Sequence, residues 1–257
     1  MSDIATISRV LSDIARQYPP ELVDAQLRDV PRIAFNISLV TAEHGTRCRV
    51  ADLGGGIGMF SVGCAALGMD AVLVDDFEDA VNLQHGGGPL ALHAKYGVTV
   101  VKRNVVQDSL DFAPASFDTI TTFDSMEHWH NSPKRLFHDV AGALRPGGLF
   151  VLGVPNCVNL RKRISVPLGI GSWSLMQDWY EEKTFRGHVR EPDVTDLRYI
   201  ARDMALEGVR IVGRNWLGYI SRFPLVRLLT PAIDRPLQLF PSLCADLYLL
   251  GRKPAQS

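Results

Sequence analysis

Val50-Ala-Asp-Leu-Gly-Gly-Gly-Ile-Gly58 is the stretch from which the fold of this 257-residue chain is read. An apolar run from Arg49 to Leu53 ends in glycines at 54, 55, 56 and 58, and a helical pattern starts at Met59. A strand, a tight turn and a helix follow one another, with backbone bare enough for a ligand to touch. A P-loop needs Gly-Lys-Ser/Thr after its four-residue gap, and no lysine follows here. The dinucleotide fingerprint needs a third glycine at position 59, which is Met59. What remains is Asp-x-Gly-x-Gly-x-Gly, with Asp52 just ahead of the turn. A carboxylate there repels a pyrophosphate and suits a cationic ligand.

Composition bounds the rest. With 46% apolar and 21% charged residues, the chain can bury a full core. A net charge of −1 argues against nucleic acid as the main partner. Cysteines 48, 64, 157 and 244 lack Cys-x-x-Cys spacing and read as reduced thiols of a cytoplasmic protein, with no zinc site. No run of about eighteen apolar residues exists, so no transmembrane segment is expected. The N-terminus does not have the pattern of a signal peptide.

Around the glycine turn the chain alternates strands and helices. Residues 3–18 place Ile4, Ile7, Leu11, Ile14 and Tyr18 on one helical stripe, and a second helix spans 21–44. These two helices are expected to cover one side of a sheet or the mouth of a site, with a homodimer contact as the alternative. Strands are expected at 71–75, 98–103, 116–123, 149–154, 209–214 and 246–250. The helix after Asp75 is broken by His85-Gly-Gly-Gly-Pro89. The fourth strand runs into Asp124-Ser-Met-Glu127-His128-Trp129-His130, at the sheet end where open α/β folds bind ligands. Residues 158–190, rich in aromatics and glycine, are too long for a plain connection and read as an inserted cap. Residues 223–243 are apolar with several prolines. Packing on the sheet is the expectation there, with weak peripheral membrane contact as the alternative.

Asp52 to Gly58, together with Asp75 and the Ser116-Phe-Asp118 strand, resembles the class I S-adenosylmethionine-dependent methyltransferases. Glu127-His128, Arg145-Pro-Gly-Gly148 and Val154-Pro-Asn156 are each similar to the small-molecule branch that includes ubiquinone-type and sugar O-methyltransferases. Gly213-Arg-Asn-Trp216-Leu-Gly-Tyr219 and Gly187-His-Val-Arg190 look like methyltransferases of polysaccharide or glycolipid synthesis. The resemblance implies a Rossmann-like α/β fold: a seven-stranded, mostly parallel sheet with an antiparallel last strand and helices on both faces. Its parts would be an N-terminal helical segment (1–45), a cofactor-binding core (46–157), a substrate cap (158–190) and the rest of the sheet (191–257). The implied cofactor is S-adenosylmethionine, leaving as S-adenosylhomocysteine. Asp52, Gly54, Gly55, Gly56 and Gly58 would line it, Asp75 or Asp76 would take the ribose hydroxyls, Asn104, Val105 and Val106 would face the adenine, and Asp124 would complete the set.

Methyl transfer to a hydroxyl of a small polar acceptor, such as a sugar, is the activity expected on this basis. A hydroxyl needs its proton removed, and histidine titrates near neutrality. His128 is the first choice as base, Glu127 orients it or binds the acceptor, and His130 and His188 are the next candidates. Neighbouring helical residues point about 100° apart, so Glu127 and His128 are not expected to face one atom. Asn156, Arg161, Arg163 and Arg190 are candidates for substrate contacts, with Arg161, Lys162 and Arg163 as a clamp for an anionic group. Trp173, Trp179 and Tyr180 either stack on a sugar or form the cap's own core. A metal held by Asp124, Glu127, His128 and Asn156 is the minor alternative, and no metal is the expectation. A second class of function, a cofactor-binding scaffold subunit without activity, and a third, methylation of nitrogen, stay open.

Overall fold

A computed structural model describes residues 3–171, 174–181, 183, 185–221 and 223–255, so Trp173 lies outside the described residues. The chain opens with helices α1 (Ile4–Ala15) and α2 (Pro20–His44), then β1 (Arg49–Leu53), α3 (Met59–Ala66) and β2 (Asp70–Asp75). Next come α4 (Ala80–Gln84), α5 (Ala91–Tyr96), β3 (Thr99–Lys102), β4 (Phe117–Phe123) and a 3₁₀ turn, Met126–His128. α6 (Lys134–Ala143), β5 (Leu144–Pro155), α7 (Leu160–Ser165), a 3₁₀ turn at Val166–Leu168, α8 (Met176–Glu181) and α9 (Val194–Asp203) follow. The chain continues with β6 (Glu207–Arg214), α10 (Trp216–Tyr219), α11 (Pro224–Gln238), a 3₁₀ turn at Pro241–Leu243 and β7 (Asp246–Arg252).

The seven strands form one sheet in the order β3-β2-β1-β4-β5-β7-β6. β1 pairs parallel with β2 and β4, and β2 pairs parallel with β3. Against β5, β7 runs antiparallel: Gly147 N–H donates to Lys253 O at one end and Asn156 N–H to Ala245 O at the other, so partner numbers fall as β5 numbers rise. This is the Rossmann-like α/β sheet that the sequence implies, with helices on both faces.

The chain divides into two compact units. The first holds 1–122, 134–150 and 252–257, and the second 123–133 and 151–251. In the first unit the stripe Ile7, Leu11, Ile14 of α1 is buried, and both N-terminal helices pack on α3. Gly63 permits this approach, since a Cβ there would lie 2.6 Å from Leu11 Cδ2 and 2.8 Å from Ile37 Cδ1. The glycine-rich break at 85–89 does divide its helix into α4 and α5, with Gly86 and Gly87 at positive φ.

Three local expectations change. β5 begins at Leu144, because Arg145-Pro-Gly-Gly148 is already bonded to the end of β7 through Gly147 N–H and Gly148 O. Glu127 and His128 lie on the 3₁₀ turn, not on an α-helix. The apolar residues of 223–243 are not packed inward: α11 turns Thr230 and Asp234 into the second unit and leaves Leu225, Leu228 and Leu229 exposed. Among the described residues, no helix is long and apolar enough to cross a membrane.

Candidate active site

The first unit builds its site where β1 and β2 end together. Asp52 on β1 is buried, and the next residues pair Leu53 with Val74 before Gly54 N–H donates to Val74 O at 2.8 Å. The turn therefore starts as a continuation of the ladder. Glycine at 55 is required by space: a Cβ there would sit 2.8 Å from Asp52 Cγ and 3.0 Å from Leu73 Cδ1. Gly56 needs both room and its positive φ of +52°. Its N–H donates to Asp75 Oδ2 at 2.9 Å, while the N–H of Phe77 donates to Asp75 Oδ1 at 2.6 Å. Phe77 is fully buried at φ +58°, a conformation that side chains other than glycine adopt only when the surroundings impose it. Each Asp75 oxygen is thus anchored by one backbone N–H and keeps a second lone pair for a ligand hydroxyl.

Two carboxylates stand at the mouth of one turn, and burial disfavours the charge of both. Burial, then the charge of Asp75, pushes Asp52 up to about 7, against a weak pull from the Thr121 hydroxyl 3.4 Å away. Burial also raises Asp75 to about 6, although the N–H groups of Phe77 and Gly56 favour its charged form. A bound cation relieves both, so the donor set fits the sulfonium and ammonium charges of S-adenosylmethionine.

Asn82, which sequence reading passed over, locks this turn. Asp79 caps α4 by accepting from Asn82 N–H at 2.9 Å, and the buried Asn82 Oδ1 accepts from Ile57 N–H at 3.2 Å. Its signal was an Asp-x-x-Asn cap ahead of the broken helix. Further along, Asp76 accepts from Asn104 Nδ2 at 2.7 Å. Asn104 Oδ1 in turn accepts from Val106 and Gln107 N–H, shaping the loop that carries the buried Val105 and Val106.

The second unit gathers a different cluster. Asp124 takes φ +48° just past β4, its N–H bonded to Gly153 O at 2.9 Å, and the 3₁₀ turn follows. One polar atom each of buried Glu127 and half-buried His128 and His188 lie within 4.8 Å of one another. The 100° rule therefore does not separate Glu127 from His128. It governs where Cβ points, and on this 3₁₀ turn the longer side chains converge toward His188. The 187–191 loop is held there because Glu127 O accepts from Val189 N–H at 2.6 Å.

Both rings have their tautomer set. His128 Nδ1 lies 2.7 Å from Arg186 O, which can only accept, so Nδ1 carries the proton and Nε2 the lone pair. His188 Nδ1 lies 2.8 Å from Glu191 Oε1. Burial pushes Glu191 up, but hydrogen bonds from His188 and Lys162 overcome this and hold its pKa below the usual value. Burial lowers the His128 pKa, against the pull of the Arg186 carbonyl and with the help of His188. His130 is placed apart from this set, its Nε2 3.0 Å from Phe185 O.

The basic clamp is not assembled. Arg161 is exposed, whereas buried Lys162 turns inward to pair with Glu191. Arg163 Nε donates to Val158 O at 2.6 Å, and Arg190 pairs with Asp196 at 3.2 Å. Asn156 is fully buried: its Nδ2 donates to Ser242 O and Cys244 O, and its Oδ1 accepts from Val158 N–H. That leaves it neither a substrate contact nor a metal ligand, so the set of Asp124, Glu127, His128 and Asn156 gives way to Glu127, His128 and His188. Trp179 and Tyr180 are exposed on α8 and form no core of their own.

A family model described as a methyltransferase domain matches residues 16–211, and the chain belongs to that family. It is a class I S-adenosylmethionine-dependent methyltransferase, an enzyme and not a scaffold. No curated protein matches the chain. Among solved structures it is similar to an S-adenosylmethionine-dependent methyltransferase from Archaeoglobus fulgidus (TM-score 0.56, 16% identity, 88% of this chain and 94% of that one). It is also similar to phosphoethanolamine N-methyltransferase 2 of Haemonchus contortus in complex with S-adenosylmethionine (0.54, 17%, 86% and 52%). This chain spans about half the length of that enzyme. A third is the 1,6-didemethyltoxoflavin-N1-methyltransferase of Burkholderia thailandensis with its substrate and S-adenosylhomocysteine (0.54, 17%, 99% and 92%). These identities speak for the fold alone. The expected hydroxyl acceptor is overturned, since the neighbours named for an acceptor atom are named for nitrogen, while these neighbours do not distinguish the sugar and ubiquinone-type branch from others.

Proposed function

We propose that this enzyme methylates a nitrogen of a small molecule, and that Glu127, His128 and His188 receive that nitrogen. The observation that carries the reading is the chemistry of the cluster. A buried carboxylate stands with two imidazoles whose Nδ1 protons are already engaged, so the group as a whole accepts hydrogen bonds. A neutral primary amine donates two N–H bonds and keeps its lone pair for the methyl group, and two bonds of about 2.9 Å at a tetrahedral angle place their acceptors about 4.7 Å apart. The three acceptor atoms lie within 4.8 Å of one another, close enough for one nitrogen to sit among them.

S-adenosylmethionine supplies an electrophilic methyl group on a sulfonium. Asp52, the glycines at 54, 55, 56 and 58, Asp75, Asp76, Asn104, Val105, Val106 and Asp124 are our assignment for holding it. The acceptor nitrogen must be neutral to attack. His128, kept neutral by its lowered pKa, accepts the proton that the nitrogen sheds at Nε2. Glu127 holds a remaining N–H, and the Lys162–Glu191 pair fixes the ring of His188. His130, Arg161, Arg163 and Arg190 have no part in this scheme.

The test is transfer of a ¹³C-methyl group to panels of small amines, N-heterocycles and hydroxyl compounds, with the new methyl located by NMR. Products carrying N-methyl groups are expected, and an O-methyl product from the hydroxyl panel alone overturns the assignment. His128→Asn is expected to lower kcat about 100-fold or more while leaving cofactor affinity in place.

A further inference from the structure

Helix α11 is built inside out. On a helical wheel Thr230 and Asp234 share one side with Leu237 and Gln238, and this is the side turned to the protein. Asp234 is buried there and accepts from Asn215 Nδ2 at 2.8 Å, Tyr219 Oη at 2.9 Å and Gln238 Nε2 at 2.8 Å. Thr230 packs against Gly218, where a Cβ would lie 2.8 Å from Thr230 Cγ2. The opposite side carries the apolar residues. Leu225 is 65% exposed and Leu228 74%, with Val226, Leu229 and Ile233 about half exposed, and just beyond the helix Leu239 is 77% and Phe240 60% exposed. Seven such side chains at about 100 Å² each present on the order of 700 Å², above the few hundred Å² that the largest patch of a monomer usually reaches. A helix that folds its polar face inward and its leucines outward is shaped for an apolar neighbour.

Charge identifies that neighbour. Residues 214–240 hold four arginines (214, 222, 227 and 235) against a single acid, Asp234, which is buried, in a chain whose net charge is −1. Arg227 and Arg235 are both exposed; Arg235 borders the leucine ridge beside Leu228, and Arg227 lies near the start of the helix on the Asp234 side. In a two-fold pairing with a second copy, this face would set like charges against like charges. An anionic bilayer meets both needs, taking leucine and phenylalanine into the acyl boundary and arginine at the phosphates. A second stretch of the same unit also exposes apolar side chains, Leu168, Leu175, Met176, Trp179 and Tyr180, but α8 carries the acids Asp178 and Glu181 and lacks the basic character of α11.

We propose that α11 is an interfacial helix that docks the enzyme on an anionic lipid surface, lying in the plane of the headgroups. This does not rest on the acceptor assignment. Flotation of the full chain with phosphatidylcholine vesicles, alone or with about 30% phosphatidylglycerol, tests it, with calorimetric binding of S-adenosylmethionine as the check on folding. Binding to the anionic vesicles is expected, weaker at 0.5 M salt. Replacing both arginines (Arg227→Gln, Arg235→Gln) should weaken it by about five-fold for each charge. The triple variant Leu225→Ser, Leu228→Ser, Leu229→Ser should abolish flotation while cofactor binding stays at the wild-type value. No flotation of cofactor-competent wild type overturns the proposal, as does flotation indifferent to either set of substitutions. A dimer in sedimentation equilibrium that the triple variant dissociates would assign the face to a second copy and overturn it equally.

Discussion

Replacing Asp52 by asparagine should stabilise the ligand-free protein at the expense of its cofactor, and only at the right pH. Asp52 is raised from its ordinary 3.8 to about 7, first by burial and then by the charge of Asp75. Between those two values the folded protein holds a proton that the unfolded chain has released, so folding stability falls as pH rises from about 4 to 7 and is level above that. The shift is about three units, and at ~1.4 kcal/mol per unit the ionised carboxylate costs about 4 kcal/mol at pH 8. At pH 5 only about one unit of that cost has been incurred. The amide cannot ionise, so the gain of Asp52→Asn over wild type should grow by about 3 kcal/mol between pH 5 and pH 8. Any fixed penalty of the amide, such as a poorer contact with Thr121, cancels in that difference. Urea denaturation of the ligand-free proteins at both pH values measures it, and the melting temperature should diverge by on the order of 10 °C. Calorimetry on the same samples should show S-adenosylmethionine binding weakened more than that of S-adenosylhomocysteine, which lacks the sulfonium charge. An equal effect of the substitution at pH 5 and pH 8 would refute the reading of Asp52 as a strained buried charge.

The pH dependence of wild-type turnover should separate into two curves. KM for S-adenosylmethionine should rise as pH falls through 7 and 6, where Asp52 and Asp75 take up protons. By contrast, kcat at saturating cofactor should hold until below 6.5, since the His128 pKa is lowered and protonation removes the base only there; superimposed curves would contradict the division. Gly55→Ala pushes a Cβ to 2.8 Å from Asp52 Cγ and should cost roughly 1–3 kcal/mol in stability together with cofactor binding. Asn156→Ala removes three buried hydrogen bonds and should cost roughly 2–4 kcal/mol by denaturation. A change confined to the acceptor KM would instead return Asn156 to the substrate.

The parts that were legible in the sequence are those written locally. The strand that carries Asp52 and ends at Leu53, the glycines of the turn and the acidic end of β2 lie within about 25 residues, and backbone sterics fix their meaning. The alternation of strands with helices gave the sheet for the same reason. What was hidden depends on contacts made far along the chain. Lys162 reads as one of three basic neighbours, and only its pairing with Glu191, 29 positions away, distinguishes it from Arg161 and Arg163. Asn156 looked like a ligand because asparagine often is one, yet two carbonyls some 87 residues on engage its amide. For α11, composition reports how many leucines there are but not which side faces the protein. That side was decided by Asp234 finding Asn215 and Tyr219.

The place of β7 in the sheet bears on how the enzyme is made. Of the seven strands it is the last to be synthesised, yet it lies between β5 and β6. Until residues 246–252 arrive, the newly made polypeptide carries β5 as an open edge with an apolar run from Leu149 to Val154, while β6 has no strand to pair with. Open apolar edges are where nascent chains stick to one another. One late insertion of seven residues pairs both strands at once, so chaperone demand during biogenesis should peak just before β7 is complete, and a chain interrupted at residue 245 should aggregate although the elements we assign to the cofactor are already present.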